Sequence, residues 1–294
     1  MTLDRSVKIA FIGGGQMARA MIGGLVASGH SASNIYVAEP FQTALDSVVA
    51  SFPGVHVSTN NNDAVSFNGE GSNVLVLAVK PQVLKGVAEG ISGALEEHAP
   101  VVVSIAAGIR LVDLSRWLSA SFNPESKRPS IVRVMPNTPA LVNEGASGLY
   151  AGETVSDQQK DLAFSVCGSF SKIAYWVEKE VLLDVVTGVS GSGPAYFFYL
   201  LEAMENAAVE LGMPREVARG LAAQTCLGAG KMALAQLETD PAILRKNVTS
   251  PKGTTEAGIK VFDDLGAKKI MQDVVIAATK RADELGDILG SQVS

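Results

Sequence analysis

A run of glycines after the first hydrophobic segment places the strongest constraint on how this chain folds. Residues Lys8–Ile12 are typical of a buried strand, and a helical pattern over Gln16–Ser28 follows almost at once. Between them the chain reads Gly13-Gly14-Gly15-Gln16-Met17-Ala18, a G-x-G-x-x-A spacing. In such a turn the first glycine permits a tight bend, the second admits a phosphate group to the backbone, and the small last residue keeps helix and strand close. The pattern predicts a dinucleotide-binding turn at a helix N-terminus, and a purely structural glycine turn is the alternative.

The first half of the chain alternates strand-like and helical segments, which predicts a parallel, doubly wound sheet of α/β class. The predicted helices after the first are Gln82–Glu96, Leu111–Leu118 and one that begins at the capping box of Ser156. The predicted strands are Lys8–Ile12, Ile35–Ala38, Val74–Val79, Val101–Ile105, Ile131–Val134 and Ile173–Val177.

From about residue 178 onward only helical patterns appear, so we expect a domain boundary there. Residues 1–178 would form the dinucleotide-binding domain, and residues 179–294 an all-helical one. The long segment Arg215–Leu237 is rich in alanine and glycine, which permits close approach of helices. A helical bundle shared between subunits is one interpretation, and a monomeric bundle is the alternative.

Composition excludes several classes of partner. The formal net charge is -6 and no dense Lys/Arg run is present, which argues against nucleic acid or an anionic membrane surface. No segment approaches the roughly 18 apolar residues of a membrane span. Cys167 and Cys226 are predicted to be buried structural thiols, and the three histidines to be single surface residues, so no metal site is expected. These features favour a reducing, cytoplasmic setting.

Residues at three further strand ends are expected to contact the dinucleotide. Glu39 ends the second strand, where a carboxylate would bind the ribose hydroxyls of the cofactor and repel a 2′-phosphate. This favours NADH over NADPH, and a solvated strand-end charge is the alternative. Small residues at Ala78-Val79-Lys80-Pro81 and Ile105-Ala106-Ala107-Gly108 end two more strands and leave space for a flat ring or a ribose.

These motifs, in order and over nearly the whole chain, resemble the pyrroline-5-carboxylate reductase family. The resemblance rests on the glycine turn, the Ala78–Pro81 segment, Met135-Pro136-Asn137-Thr138-Pro139, Gly191-Ser192-Gly193-Pro194-Ala195-Tyr196 and, most specifically, Val248-Thr249-Ser250-Pro251-Lys252-Gly253-Thr254-Thr255. The resemblance implies an N-terminal Rossmann-type domain, a C-terminal helical dimerisation domain and a homodimer or larger homo-oligomer. It implies NADPH or NADH as cofactor and 1-pyrroline-5-carboxylate as substrate.

By position, the resemblance assigns site residues to both halves of the chain. Substrate contacts fall on Ser250, Gly253, Thr254 and Thr255, with Glu180 as a further candidate. Lys252 departs from the family, which usually has glycine or another small residue there. Cofactor contacts fall on Ile12, Gly13, Gly14, Gly15, Gln16, Met17, Glu39, Asn61, Ala78, Val79, Lys80, Pro81, Ile105, Ala106, Ala107 and Asn247.

The residue types suit imine reduction, in which orientation matters more than a strong acid or base. The Ser250–Thr255 loop offers backbone amides to a carboxylate, and Thr255, the candidate catalytic residue, offers a hydroxyl to the ring nitrogen. A plain turn with a helix cap is the alternative for this loop. A hydroxy-acid dehydrogenase would require a lysine or histidine base, and Val181–Met204 contains neither. A non-catalytic protein that binds NADP(H) is the third hypothesis, after the imine reductase and the hydroxy-acid dehydrogenase.

Overall fold

Alternating strands and helices in the first part of the chain build one eight-stranded sheet. The computed structural model describes residues 3–291. The strands are β1 (Ile9–Ile12), β2 (Ile35–Ala38), β3 (His56–Ser58), β4 (Val74–Leu77), β5 (Val101–Ser104), β6 (Ile131–Met135), β7 (Gly145–Ala151) and β8 (Ser171–Trp176). The helices between them are α1 (Gln16–Ala27), α2 (Gln42–Ser51), α3 (Asn61–Ser66), α4 (Pro81–Gly90), α5 (Ser92–His98), α6 (Leu111–Leu118) and α7 (Asp157–Gly168).

The strand order is β3-β2-β1-β4-β5-β6-β7-β8, with only β6 and β7 antiparallel. The chain builds outward from β1 on one side and from β4 on the other, so the order reverses between these two strands. Ile12 at the end of β1 pairs with Ala38 of β2 and Leu77 of β4. A ligand in such a sheet binds beyond the carboxyl ends of the strands at this switch point. The predicted α/β class and doubly wound sheet are confirmed.

The central strands are buried on both faces and supply two apolar cores. Ile9 and Phe11 of β1 face one cluster, while Ala10 and Ile12 face the other, as the two-residue period of a strand requires. All four side chains are at most 1% exposed. Each fully buried Ile or Phe side chain contributes about 1.5–3 kcal/mol relative to exposure, which explains why these strands read as continuous apolar runs.

Beyond β8 the described chain is helical. It forms α8 (Leu182–Val186), a π segment at Thr187–Gly191, α9 (Gly193–Glu210), α10 (Arg215–Leu234), α11 (Pro241–Asn247), α12 (Thr254–Asp264) and α13 (Ala267–Gly290). The compact units divide at Gly191: Ser192–Ala277 form the second unit, and the chain from Ala278 onward belongs to the first. This division differs from a boundary at residue 178, because α8 packs onto β7, where Gly148 leaves room for Val186.

Helix α9 packs against α10 in the second unit, where Glu205 of α9 bonds Arg215 and Arg219 at 2.6 and 2.8 Å. Hydrogen bonds from Arg219 and Arg215 lower the pKa of Glu205 to about 2. Many large apolar side chains of this unit are exposed, among them Phe198 at 66% and Leu211 at 89%. Unpartnered apolar area of this kind marks an interaction surface.

Several local predictions need correction. The predicted helix Gln82–Glu96 is two helices, because the chain bends at Ile91 between Gly90 and Ser92. Two strands, β3 and β7, were not predicted. His30 is buried at 5% exposure, with its pKa lowered by burial, so it is not a surface residue.

The cysteines are both free thiols. Cys167 is buried as predicted, but Cys226 is only half-buried. Among residues 3–291, no group of three or more His, Cys, Asp or Glu side chains could hold a metal ion. Each described helix is either too short or too polar to cross a membrane.

Candidate active site

The glycine turn connects β1 to α1 and lies against Ala78, which follows β4. Gly13 has a φ of 101°, a left-handed conformation that favours glycine. A Cβ atom at Gly13 would stand 2.6 Å from the carbonyl oxygen of Ala78, closer than real Cβ atoms approach. The Gly13 amide also donates a 2.8 Å hydrogen bond to the Ala38 carbonyl of β2. Gly13 is therefore required by the fold, and the turn brings it together with the predicted contact Ala78.

Gly15 has a different role, because it is the N-cap of α1 and faces open space. Apart from its two neighbours in the chain, no other described residue has a heavy atom within 4 Å of the position that its Cβ would occupy. No side chain in residues 3–291 caps α1, and the first turn carries no acidic residue. The N-terminal amides of a helix need a partner, and an anionic group meets that need. This cradle fits the pyrophosphate of a dinucleotide.

Glu39 is oriented by the same turn. Its Oε2 atom accepts a 2.8 Å hydrogen bond from the Gly14 amide, and Oε1 accepts a longer one of 3.4 Å from the Phe41 amide. The side chain is half-buried. The carboxylate is thus held beside the cradle at the end of β2, where a ribose diol could donate hydrogen bonds to it. A freely solvated strand-end charge does not describe it.

The other predicted cofactor contacts in the first unit lie at the same edge of the sheet. Lys80 is the exposed N-cap of α4, and Pro81 is its first residue. Ala106 is buried after β5, and its amide donates to the Ser104 hydroxyl at 3.4 Å. Asn61 begins α3 directly beyond β3 and is half-buried. Because β1, β3, β4 and β5 run parallel, these residues all lie at the carboxyl edge of the sheet.

Glu180 lies in an ionic cluster of the first unit. Its Oε1 atom accepts hydrogen bonds from Nη1 of Arg133 at 2.7 Å and from the Leu111 amide at 2.6 Å. Arg133 is on β6 and only 6% exposed, a buried cation that needs such a partner. Burial raises the pKa of the neighbouring Asp184 carboxyl, and the charge of Arg133 opposes that shift. Sequence reasoning missed Arg133, since a single arginine in a strand carries no signal.

Apart from Glu180, which belongs to the first unit, the predicted substrate residues form one short segment in the second unit. Helix α11 ends at Asn247, and the loop that follows turns tightly, with the Gly253 amide donating to the Ser250 carbonyl at 3.0 Å. A Cβ atom at Gly253 would stand 3.0 Å from that same oxygen. Gly253 is the N-cap of α12, and no described side chain caps the helix. Thr254 and Thr255, the first two residues of α12, are exposed.

Lys252, the departure from the family pattern, sits in this loop with a φ of 59°. For a residue other than glycine this left-handed conformation costs about 1–2 kcal/mol. The Lys252 amide donates a 2.7 Å hydrogen bond to Oε2 of Glu256, one turn into α12. The charge-assisted bond offsets part of that cost, and the loop keeps its tight turn with lysine in place.

Family models cover both parts of the chain. Residues 180–285 match the model described as pyrroline-5-carboxylate reductase dimerisation, and residues 8–108 match NADP oxidoreductase coenzyme F420-dependent. The pyrroline-5-carboxylate reductase of Pseudomonas aeruginosa is 44% identical over 283 residues, which span 96% of this chain and 98% of that protein. The enzyme of the same name from Glycine max is 38% identical over 281 residues, 95% of this chain and 96% of its own length.

Solved structures agree with this relationship. A pyrroline-5-carboxylate reductase from Coxiella burnetii superposes with a TM-score of 0.86 at 39% identity, covering 95% of this chain and 98% of that one. Plasmodium falciparum pyrroline carboxylate reductase, solved with NADP bound, superposes with a TM-score of 0.80 at 26% identity, covering 96% and 99%. Likeness at this identity and over nearly the full length of both chains leaves one assignment: this chain is a member of the pyrroline-5-carboxylate reductase family.

Proposed function

We propose that the chain reduces 1-pyrroline-5-carboxylate to L-proline with NADPH or NADH, the last step of proline biosynthesis. The observation that carries this proposal is the coexistence of two intact features in a chain 44% identical to a reductase of that name. The first is the open cradle at Gly15. The second is the tight Ser250–Gly253 turn, which presents exposed threonines at the start of α12.

The residues of the sheet unit would bind and orient the cofactor. The uncapped amides at the start of α1 hold the pyrophosphate, and Glu39 holds the adenosine ribose through its hydroxyls. Asn61, Lys80 and Ala106 would line the rest of the cofactor site at the carboxyl edge. When bound, NADPH or NADH supplies the hydride. The position of Glu39 favours NADH, because a 2′-phosphate would place negative charge beside an oriented carboxylate.

The Ser250–Thr255 loop would bind the substrate. The N-terminal amides of α12, together with the Ser250 hydroxyl, suit the substrate carboxylate because they form a helix N-terminus without a side-chain cap. Thr255 would hydrogen-bond the ring nitrogen, which gains or keeps a proton while the ring carbon receives the hydride. Asn247 is kept as a cofactor contact and Glu180 as a substrate contact, both on the family resemblance alone.

A hydroxy-acid dehydrogenase is the second candidate, and the residues disfavour it. That chemistry requires a general base for the alcohol proton, and the segment from Val181 to Met204 contains no lysine or histidine. The intact substrate loop argues against a protein that only binds NADP(H), because such a protein would not need it.

Self-association belongs to the same proposal. Part of the exposed apolar surface of the second unit is a groove of about 790 Å³, lined by residues such as Tyr199, Leu200, Phe262 and Met271. A homodimer or larger homo-oligomer would bury these side chains. The two free thiols fit the proposed cytoplasmic setting.

Steady-state rates test the activity directly. Oxidation of NADH and of NADPH is followed separately by absorbance, with and without pyrroline-5-carboxylate, and L-proline is quantified as product. We expect imine-dependent oxidation with one proline formed per cofactor oxidised. Oxidation that does not depend on the imine, or cofactor binding without turnover, would refute the proposed activity and favour the non-catalytic reading.

A further inference from the structure

The segment after β6 contains a buried side chain that none of the roles above uses. Asn137 is 8% exposed and makes two hydrogen bonds to distant backbone. Its Nδ2 atom donates to the Ser190 carbonyl at 3.1 Å, and its Oδ1 atom accepts from the Ala146 amide at 2.8 Å. These partners define which end of the amide is oxygen, because one is an acceptor and the other a donor.

Both partners of Asn137 lie at irregularities of the backbone. The register of β7 against β8 shifts between Gly145 and Ala146, so the ladder is interrupted there. Ser190 belongs to the π segment Thr187–Gly191, a rare conformation that is found mostly at functional sites. An asparagine or glutamine amide presents a donor and an acceptor side by side in this way, and an ionised carboxylate does not. Asn137 therefore joins the bulge to the π segment.

The π segment lies at the carboxyl edge of the sheet. Met135 ends β6, which runs parallel to β5, β4 and β1, so its end points to the same edge as the Gly13 turn. A Cβ atom at Gly191 would stand 2.6 Å from Cε of Met135. The last residue of the π segment is thus packed against the end of β6, and Asn137 holds the residue before it.

We infer that Asn137 is a positioning residue of the reductase: through the Ser190 carbonyl it holds the π segment as a wall of the proposed cofactor site at the carboxyl edge of the sheet, on the side of the reacting nicotinamide end. The inference rests on the proposed function, because it concerns the geometry of that reaction. Small displacements in such a wall reduce turnover strongly, since hydride transfer depends on the distance and angle between the reacting carbons.

Two substitutions separate this role from simple support of the sheet. Asn137→Asp keeps the oxygen that accepts from Ala146 but places a carboxylate oxygen against the Ser190 carbonyl, whereas Asn137→Ala removes both bonds. If Asn137 only accepted the hydrogen bond from the Ala146 amide at the bulge, Asn137→Asp would be the milder change, because it keeps that bond. If it holds the π segment, Asn137→Asp is the more damaging one. Asn143→Asp, in the same connection but exposed, is the matched control for the added charge.

We expect kcat for imine reduction to fall about tenfold in Asn137→Ala and up to about a hundredfold in Asn137→Asp. The dissociation constant of ADP-ribose, which lacks the nicotinamide ring, should stay within about twofold of wild type because the Gly15 cradle and Glu39 are untouched. Asn143→Asp should match wild type in both. Wild-type kcat in Asn137→Asp, or a milder loss than in Asn137→Ala, would overturn the inference.

Two further measurements decide the matter if a variant fails to fold or the proposed reaction is absent. Gly191→Val leaves Asn137 in place and should also lower kcat with ADP-ribose binding unchanged, because its branched side chain meets Thr187 as well as the movable end of Met135; an unchanged kcat counts against the inference. Amide hydrogen exchange over residues 187–191 needs no activity. It should accelerate at least tenfold in the Asn137 variants and not in Asn143→Asp, and equal exchange would refute the role of Asn137 even if wild type does not reduce the imine.

Discussion

A valine at position 15 should separate cofactor binding from folding. The backbone of Gly15, with φ of -68° and ψ of -178°, is extended and allowed for any residue. Apart from Gly14 and Gln16, no described residue has a heavy atom within 4 Å of where the valine Cβ would stand. The expected loss of stability is therefore only that of a poorer N-cap, about 1 kcal/mol. In a chain of this size that corresponds to a fall in Tm of about 2–4 °C.

The effect on cofactor binding should be far larger. The valine side chain would occupy the open space in front of the α1 amides, so the pyrophosphate could not approach them. A hydrogen bond to a charged group contributes about 1.5–3 kcal/mol, and the loss of two such bonds costs about 3–6 kcal/mol. The dissociation constants of NADH and NADPH should rise by about two to four orders of magnitude.

Titration of each cofactor by fluorescence or calorimetry, together with thermal unfolding, measures both quantities. Gly93→Val, on α5 and equally free of neighbours within the described residues, is the control for added apolar surface and should bind normally. Gly13→Ala should behave in the opposite way, with a large loss of Tm, because its Cβ meets the Ala78 carbonyl. A folded Gly15→Val protein with wild-type affinity would refute the assignment of the cradle.

Three more outcomes are expected. Glu39→Ser should raise the ratio of kcat/KM for NADPH to that for NADH by an amount equivalent to about 1–3 kcal/mol, and an unchanged ratio would show that the carboxylate does not face the ribose. Thr255→Ala should lower kcat while the affinity for both cofactors stays the same; removal of one transition-state donor costs about 2.7–4 kcal/mol, and the smaller end is expected because water can reach the ring nitrogen. Wild-type kcat and KM in that variant would reduce Thr255 to a structural residue. Light scattering should show a dimer or larger assembly at micromolar concentration, since side chains such as Phe198 and Leu211 are exposed in a single chain, and a stable, active monomer would contradict this.

The central strands of the sheet were predictable because burial dictates their composition. Strands β1, β4 and β5 are buried on both faces and read as unbroken apolar runs, so their position follows from the sequence alone. Strand β7 has the sequence Gly145-Ala-Ser-Gly-Leu-Tyr-Ala and lacks β-branched residues. Its glycines make room for neighbours, as Gly148 does for Val186, and this requirement exists only after the chain has folded.

The residues of the site were likewise predictable only where a local sequence pattern specifies them. Gly13 and Gly15 lie within three residues of each other, and their roles follow from a local pattern between a strand and a helix. Asn137 bonds backbone groups 9 and 53 residues further along the chain. The identities of Ala146 and Ser190 give no sequence signal for these bonds, because other residues there would offer the same backbone amide or carbonyl. Side-chain contacts to remote backbone leave no periodic or compositional trace in the sequence.

Lys252 shows that an unusual residue in a family motif need not mean an altered structure. A residue with a side chain where the family has glycine suggests that the substrate loop has changed. The loop nevertheless keeps its Ser250–Gly253 hydrogen bond, because Lys252 adopts the left-handed conformation at φ 59° and its amide bonds Glu256. The left-handed conformation costs about 1–2 kcal/mol. The residue types in the motif therefore do not determine the conformation of this loop. The hydrogen bond from the Lys252 amide to Glu256, four residues further on, explains how the tight turn is stabilised.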